Sequence, residues 1–348
     1  MHTEKYAHNI ELITTPGIGD GNPAAAIALQ QKIQKSSGQA DLQILDAAAL
    51  PGRWFHQIMT TKTGFFTEYR RNSEKMRDGF FAWLLQVLLY LELEMRLQAA
   101  ERQGTGIRYS VWSLVQEFPL LGALICRSPR LDFFERILVW VPDQMPKKSG
   151  IRAVDRFGVL RVWNEEAFCK LTEEGIPVEL VEPFFVSGFE SLLAEEGEQE
   201  FHERGVPIAV KSSGSGMPTG QVAALMGLFE TAHIDDYEIH LPDKIIVKNN
   251  GRVEVDKCKL DRVQRLTRFF SSLGKNTRII IGFPSELVAI VHEMRLMGAE
   301  TQLLALPPRG THEITNLSWA LEKGIAVPFK DSESQEIITP QAFRRLLG

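Results

Sequence analysis

Twice in this chain a short apolar run stops at a glycine cluster and gives way to small helix-forming residues. The first occurrence runs Ile10 to Thr14, then Thr15-Pro16-Gly17-Ile18-Gly19-Asp20-Gly21-Asn22-Pro23, then Ala24 to Ile33. Asn22 suits a helix cap and Pro23 a first helical turn, since proline lacks the amide that the first turn leaves unused. Leu42 to Leu45 reads as the next strand, which makes a βαβ start and predicts a parallel sheet. The second occurrence begins at Pro207-Ile208-Ala209-Val210-Lys211 and continues into Ser212-Ser213-Gly214-Ser215-Gly216-Met217-Pro218-Thr219-Gly220. A strand, a glycine turn and a helix, repeated, constrain the chain to an α/β class with two parallel-sheet halves.

Length agrees with two halves, because 348 residues exceed what one hydrophobic core usually supports. Within the first half, residues 65–103 read as one or two long helices. Ile137 to Val141 reads as a strand ending in Pro142-Asp143, and Gly158 to Trp163 as another. Asn164 caps a predicted helix over Glu165 to Glu174, which Gly175-Ile176-Pro177 ends before a strand at Val178 to Val181. Residues 190–205 are glutamate-rich and poor in apolar side chains, a linker composition. Ile279-Ile280-Ile281 and Gln302 to Leu306 are two further predicted strands, each followed by a helical pattern. The organisation read from this is a first domain over 1–188, an acidic linker over 189–205, a second domain over 206–330, and a C-terminal helix over 331–348 that crosses back to the first domain.

A net charge of −5 and the absence of any basic block exclude a general nucleic-acid binder. Cys126, Cys169 and Cys258 are widely spaced and form no CxxC pair, as expected of reduced thiols in a cytoplasmic protein. The histidines give no metal-ligand spacing; His233 and His240 fall across what reads as a loop. Met1 to Ile10 is polar, without a signal core. The greasiest run, Phe80 to Leu91, is about a dozen residues, short of the ~20 that span a bilayer. It reads as core, or as a surface lying on a membrane.

Three loops carry candidate chemistry. Glycines between a strand and a helix let backbone amides approach a ligand, and the helix N-terminus favours negative charge. The turn at Gly17 to Asn22 has that form, as does Ser212 to Gly220, whose small hydroxyls suit a diphosphate. A tight βα turn with no ligand satisfies the same residues. The third loop, Pro307 to Asn316, follows an apolar strand and ends in a polar helix start, with plain helix capping as its alternative reading.

In order along the chain, these segments resemble GT-B glycosyltransferases of the group that holds the diacylglycerol galactosyl- and glucosyltransferases and the peptidoglycan N-acetylglucosaminyltransferase. The first turn, Gly19-Asp20-Gly21-Asn22-Pro23-Ala24, is similar to the family's Gly-His turn, with Asn22 where the family has histidine. The C-terminal segment matches most specifically: Glu293, Gly298, the strand at 302–306, Pro307-Pro308, His312-Glu313, Asn316 and Gly324 stand at family spacings. The resemblance implies two Rossmann-like domains facing a cleft. It also implies inverting, metal-independent transfer of a sugar from a UDP-sugar to an acceptor hydroxyl, with the nucleotide sugar as substrate and no separate cofactor. By resemblance Ser213, Gly214, Ser215 and Gly216 hold the diphosphate, Glu293 the ribose, and His312 and Glu313 the sugar, with Asn316 nearby in the donor site. The acceptor is undefined, a lipid being one class, which implies a cytoplasmic enzyme with at most peripheral contact at the inner face of the membrane.

The departures fall on catalysis. Asn22, at the family's catalytic position, takes no proton at neutral pH, so a base has to come from elsewhere, with Asp20 and Asp143 as the candidates. The family's Pro-Gly-Gly before the ribose glutamate is replaced by Phe283-Pro284-Ser285-Glu286. A GT-B-shaped protein without transferase activity, binding nucleotide sugars or a partner, is the second expectation.

Overall fold

The computed structural model describes residues 10–15, 21–37, 42–46, 109–113, 134–140, 158–189, 205–212, 217, 219–257, 261–308, 311–330 and 336–348. The chain divides into two compact units, one over Met1–Ile18 and Ala25–Glu182, the other over Gly19–Ala24 and Pro183–Gly348.

The first unit holds β1 (Ile10–Thr15), α1 (Gly21–Ser37) from Ala25 onward, β2 (Leu42–Asp46), β3 (Tyr109–Ser113), β4 (Phe134–Trp140), β5 (Gly158–Val162), α2 (Glu165–Glu173) and β6 (Val178–Leu180). Its strands form a sheet in the order β2-β1-β3-β4-β5-β6, parallel at every pairing. From β1 the chain steps to β2 on one side and later returns to β3 on the other, so the order reverses between β1 and β3. Asn164 caps α2 as the sequence predicts: its Oδ1 accepts from the amides of Glu166 at 2.8 Å and Ala167 at 3.3 Å. Glu165 and Glu166 in the first turn and Lys170 in the last complement the helix dipole. The helix stops where Gly175 takes φ of +72°, a left-handed conformation that favours glycine. Across β5 and β6, Arg161 Nε donates to Glu179 Oε2 at 2.9 Å.

The second unit opens with β7 (Ile208–Lys211), α3 (Thr219–Thr231) and β8 (Tyr237–His240), followed by β9 (Ile245–Asn249) and β10 (Arg252–Asp256). It continues with α4 (Arg262–Ser271), β11 (Ile279–Gly282), α5 (Glu286–Leu296), β12 (Gln302–Ala305), α6 (Thr311–Glu322), β13 (Ala326–Pro328) and α7 (Pro340–Leu347). The sheet order is β10-β9-β8-β7-β11-β12-β13. The five strands from β8 to β13 across the sheet are parallel, and β9 and β10 add an antiparallel hairpin at one edge. Here the order reverses between β7 and β11. The short continuous apolar runs of β7 and β11 are buried along their whole length, as parallel strands covered on both faces require.

The α/β class expected from the sequence is therefore the class observed. The core of this unit joins Val210, Ile239, Ile281 and Leu304 of the sheet to Leu225 and Phe229 of α3 and Phe343 of α7. Thr339 caps α7 by accepting from the Ala342 amide at 3.2 Å. Phe343 stacks on Phe229 at 5.7 Å between centroids, and Arg344 Nε donates to the Ala232 carbonyl at 2.8 Å. The C-terminal helix is thus anchored on α3 of its own unit.

Candidate functional site

A lysine that ends a wholly buried strand needs an ionised partner, because an uncompensated charge in the interior is costly. Lys211, the last residue of β7, has that partner in Glu286, the first residue of α5, at 2.5 Å between Nζ and Oε1. Both side chains are buried, 5% and 10% exposed. Ser285 Oγ donates to the other Glu286 oxygen. Burial alone pushes the Glu286 carboxyl up; the Lys211 charge and hydrogen bond, with Ser285, outweigh it and hold the group below its ordinary value. The pair lies at the carboxyl ends of β7 and β11, the point where the sheet order reverses and where open α/β sheets bind ligands.

Gly282 permits this junction. A Cβ there would stand 2.8 Å from the Lys211 carbonyl and collide with Leu287, so only glycine lets β11 approach β7 as it does.

On the other side of β7, His240 ends β8. The Ser212 amide donates to the His240 carbonyl at 3.1 Å. The buried imidazole lies edge-on to Phe269, and Ser272 Oγ stands 3.4 Å from its Nε2. Glu238 Oε2 is 3.1 Å from Nε2, off the hydrogen-bonding direction. Burial lowers the His240 pKa most, Arg268 and Lys211 add to the effect, and Glu238 opposes it. The ring is therefore neutral at pH 7. Lys211, Ser212, His240, Arg265 and Phe269 line a small pocket of about 20 Å³, room for a single water.

The residues singled out from sequence distribute as follows. Asp20, Asp143 and Ser213 to Gly216 lie outside the described residues. Asn22 is the second residue of α1 and His312 the second of α6. Glu313 and Asn316, one turn apart in α6, are both buried. Their helix follows β12 and so begins at the carboxyl edge of the sheet, on the same side as the Lys211–Glu286 pair.

Glu293 sits elsewhere. It is the eighth residue of α5, not near its start, and is 4% exposed. Its two oxygens accept from the amides of Val186 at 2.8 Å and Ser187 at 2.9 Å. The carboxylate thereby satisfies the first free amides of the helical turn over 185–189, as an N-terminal cap does. The acid at the start of α5 is Glu286. A lysine inside an apolar strand and a Ser-Glu helix start after the next apolar strand were its sequence signals. His240, read as a loop residue, is instead at the end of a strand.

Among the described residues no group of three or more His, Cys, Asp or Glu is placed to hold a metal ion, and no helix is long and apolar enough to cross a membrane. No protein-family model matches this chain, and no curated protein matches it significantly in sequence.

Proposed function

We propose that this chain is a glycosyltransferase of the GT-B class, moving a sugar from a UDP-sugar donor to an acceptor hydroxyl. The observation that carries the reading is topological. Each of the two glycine-rich turns follows the strand at which its own sheet reverses order: 16–20 after β1, and 212–218 after β7. Two switch points, each followed in the sequence by a glycine-rich segment and then a helix, support one substrate site at each sheet.

In this reading the donor belongs to the second unit. The diphosphate lies against the amides and hydroxyls of Ser213 to Gly216 and the N-terminus of α3, so the leaving group's charge meets preorganised donors. Lys211 is already neutralised by Glu286, and its part is to hold β7 and β11 in register at their carboxyl ends. Glu313 and Asn316 face the sugar from the start of α6, with His312 beside them. The acceptor proton goes to Asp20 or Asp143, since Asn22 takes none. The transfer inverts and uses no metal. The reading carries with it a cytoplasmic chain, peripheral at most to a membrane.

One observation favours a second reading, a non-catalytic nucleotide-sugar binder. Glu293, the residue matched to the family's ribose ligand, has both oxygens on backbone amides.

The test is calorimetry with UDP, UDP-glucose and UDP-N-acetylglucosamine, followed by sugar release and transfer with wild type and Glu313→Gln. Micromolar UDP binding, with turnover lost in Glu313→Gln, is the expected result. Binding without turnover in wild type selects the second reading. No binding of any of the three overturns both.

A further inference from the structure

The hairpin at the edge of the second sheet fixes which backbone groups of β10 face outward. Leu241 N donates to Lys244 O at 2.9 Å across the turn between β8 and β9. The pairs Ile239–Ile246 and Tyr237–Lys248 follow in register, and alternate pairs of an antiparallel ladder share its hydrogen bonds. The amides and carbonyls of Ile246 and Lys248 are thus used by β8, leaving those of Ile245, Val247 and Asn249 for β10. Their partners there are Asp256, Glu254 and Arg252. Asn250 and Gly251, at φ of 48° and 77°, close the hairpin in the tight turn that this phase requires. Val253 and Val255 therefore turn their N–H and C=O groups away from the sheet.

The side chains of Val253 and Val255 are uncovered as well. All five residues of β10 are exposed, with Val253 at 52% and Val255 at 47%. Val255 stands opposite Ile246, which packs against the core. Val255 prolongs that apolar face beyond the point where the core covers it, and Val253 follows on the same face, opposite Lys248.

The strand reads Arg-Val-Glu-Val-Asp, and turned end for end it is complementary to itself. Set antiparallel to a copy of itself about Glu254, Val253 meets Val255 of the copy in hydrogen-bonded pairs, and Arg252 meets Asp256 of the copy at both ends. We propose that β10 is a homodimerisation edge, pairing with β10 of a second copy of this chain about a two-fold axis at Glu254 and joining two seven-stranded sheets into one. Opposite-charge and β-branched cross-strand pairs favour this register. The cost falls at the axis, where Glu254 faces its own copy. The dimer is accordingly weak at neutral pH, and Glu254 tunes it. The inference is independent of the sugar-transfer reading.

Sedimentation velocity of the full chain over a hundredfold concentration range tests it. Wild type shows a concentration-dependent dimer, and Glu254→Thr shows a tighter one. Val255→Pro removes only an outward amide, so the hairpin survives, as circular dichroism checks, while association weakens about tenfold or more. Arg252→Asp weakens the dimer, and adding Asp256→Arg restores it. A wild type that stays monomeric at every concentration, or a dimer unchanged by both Val255→Pro and the charge swap, overturns the proposal.

Discussion

Lys211 and Glu286, 75 residues apart in sequence, meet at 2.5 Å where the sheet of the second unit reverses its strand order. The ion pair ties the end of β7 to the start of α5, so the strands on either side of the reversal are locked at their carboxyl ends.

Removing one partner leaves the other charged and buried. Lys211→Met is expected to destabilise the chain by about 3–5 kcal/mol, and Glu286→Gln by somewhat less, because the amide still accepts from Lys211. The double variant Lys211→Met/Glu286→Leu is expected to recover most of the loss, since a buried ion pair is close to neutral against well-packed apolar residues. Guanidinium unfolding of the four proteins measures this. A double variant as unstable as the sum of the singles would mean that the two residues act separately.

Gly282→Ala tests the approach of the two strands. The new methyl group meets the Lys211 carbonyl, which is strand backbone and cannot swing aside. Overpacking of this kind costs about 1–3 kcal/mol. The same substitution at Gly227 of α3, where an added Cβ meets nothing within 4 Å, is expected to stabilise slightly by helix propensity. Equal effects at the two glycines would remove close approach as the explanation.

The parallel strands were legible because buried strands read as short apolar runs between turn residues: 207–211 anticipated β7, 279–281 β11 and 302–306 β12. The cap at Asn164 was legible because its side chain acts only on the next few amides. The hairpin of β9 and β10 went unread although Asn250-Gly251 is a strong turn signal, since the residues of β10 are charged on one face and carry no core pattern. The Lys211–Glu286 pair was not legible as a pair, because residues 75 apart are joined only by the sheet order. The role of Glu293 was hidden for the same reason: its partners are backbone amides of a segment 106 and 107 residues away. The candidate residues Asp20, Asp143 and Ser213 to Gly216 lie outside the described residues.

Glu293→Ala strips the buried Val186 amide and the half-buried Ser187 amide of their acceptor at once. The expected loss is roughly 1.5–3 kcal/mol, the range for hydrogen bonds to a charged group. Glu293→Gln keeps one carbonyl acceptor and is expected to lose less. Hydrogen exchange at Val186 and Ser187 separates this role from ligand binding, as protection there falls in both variants without any nucleotide present. Unchanged exchange at these two amides would return Glu293 to the list of ligand contacts.

Acid is expected to unfold this chain in two stages whose signs follow from three groups. His240 and His292 are held below the ordinary histidine value, mainly by burial. Between that value, ~6.5, and the lower folded one, the unfolded chain binds protons that the folded chain refuses. Stability is therefore flat above the ordinary histidine value and declines as pH falls below it, by at most about 1.4 kcal/mol per pH unit per group. Glu286 is held below the ordinary carboxyl range by Lys211 and Ser285 against the opposing effect of burial. Its contribution is fully present above ~4.3, the unfolded glutamate value, and is lost as pH falls through its lower folded value. Thermal or denaturant melts from pH 8 to pH 3 measure both limbs. His240→Gln is expected to reduce the first limb to the share of His292 and leave the second, whereas Glu286→Gln leaves the first and flattens the second. If neither substitution changes the shape of the curve, the acid response belongs to other groups.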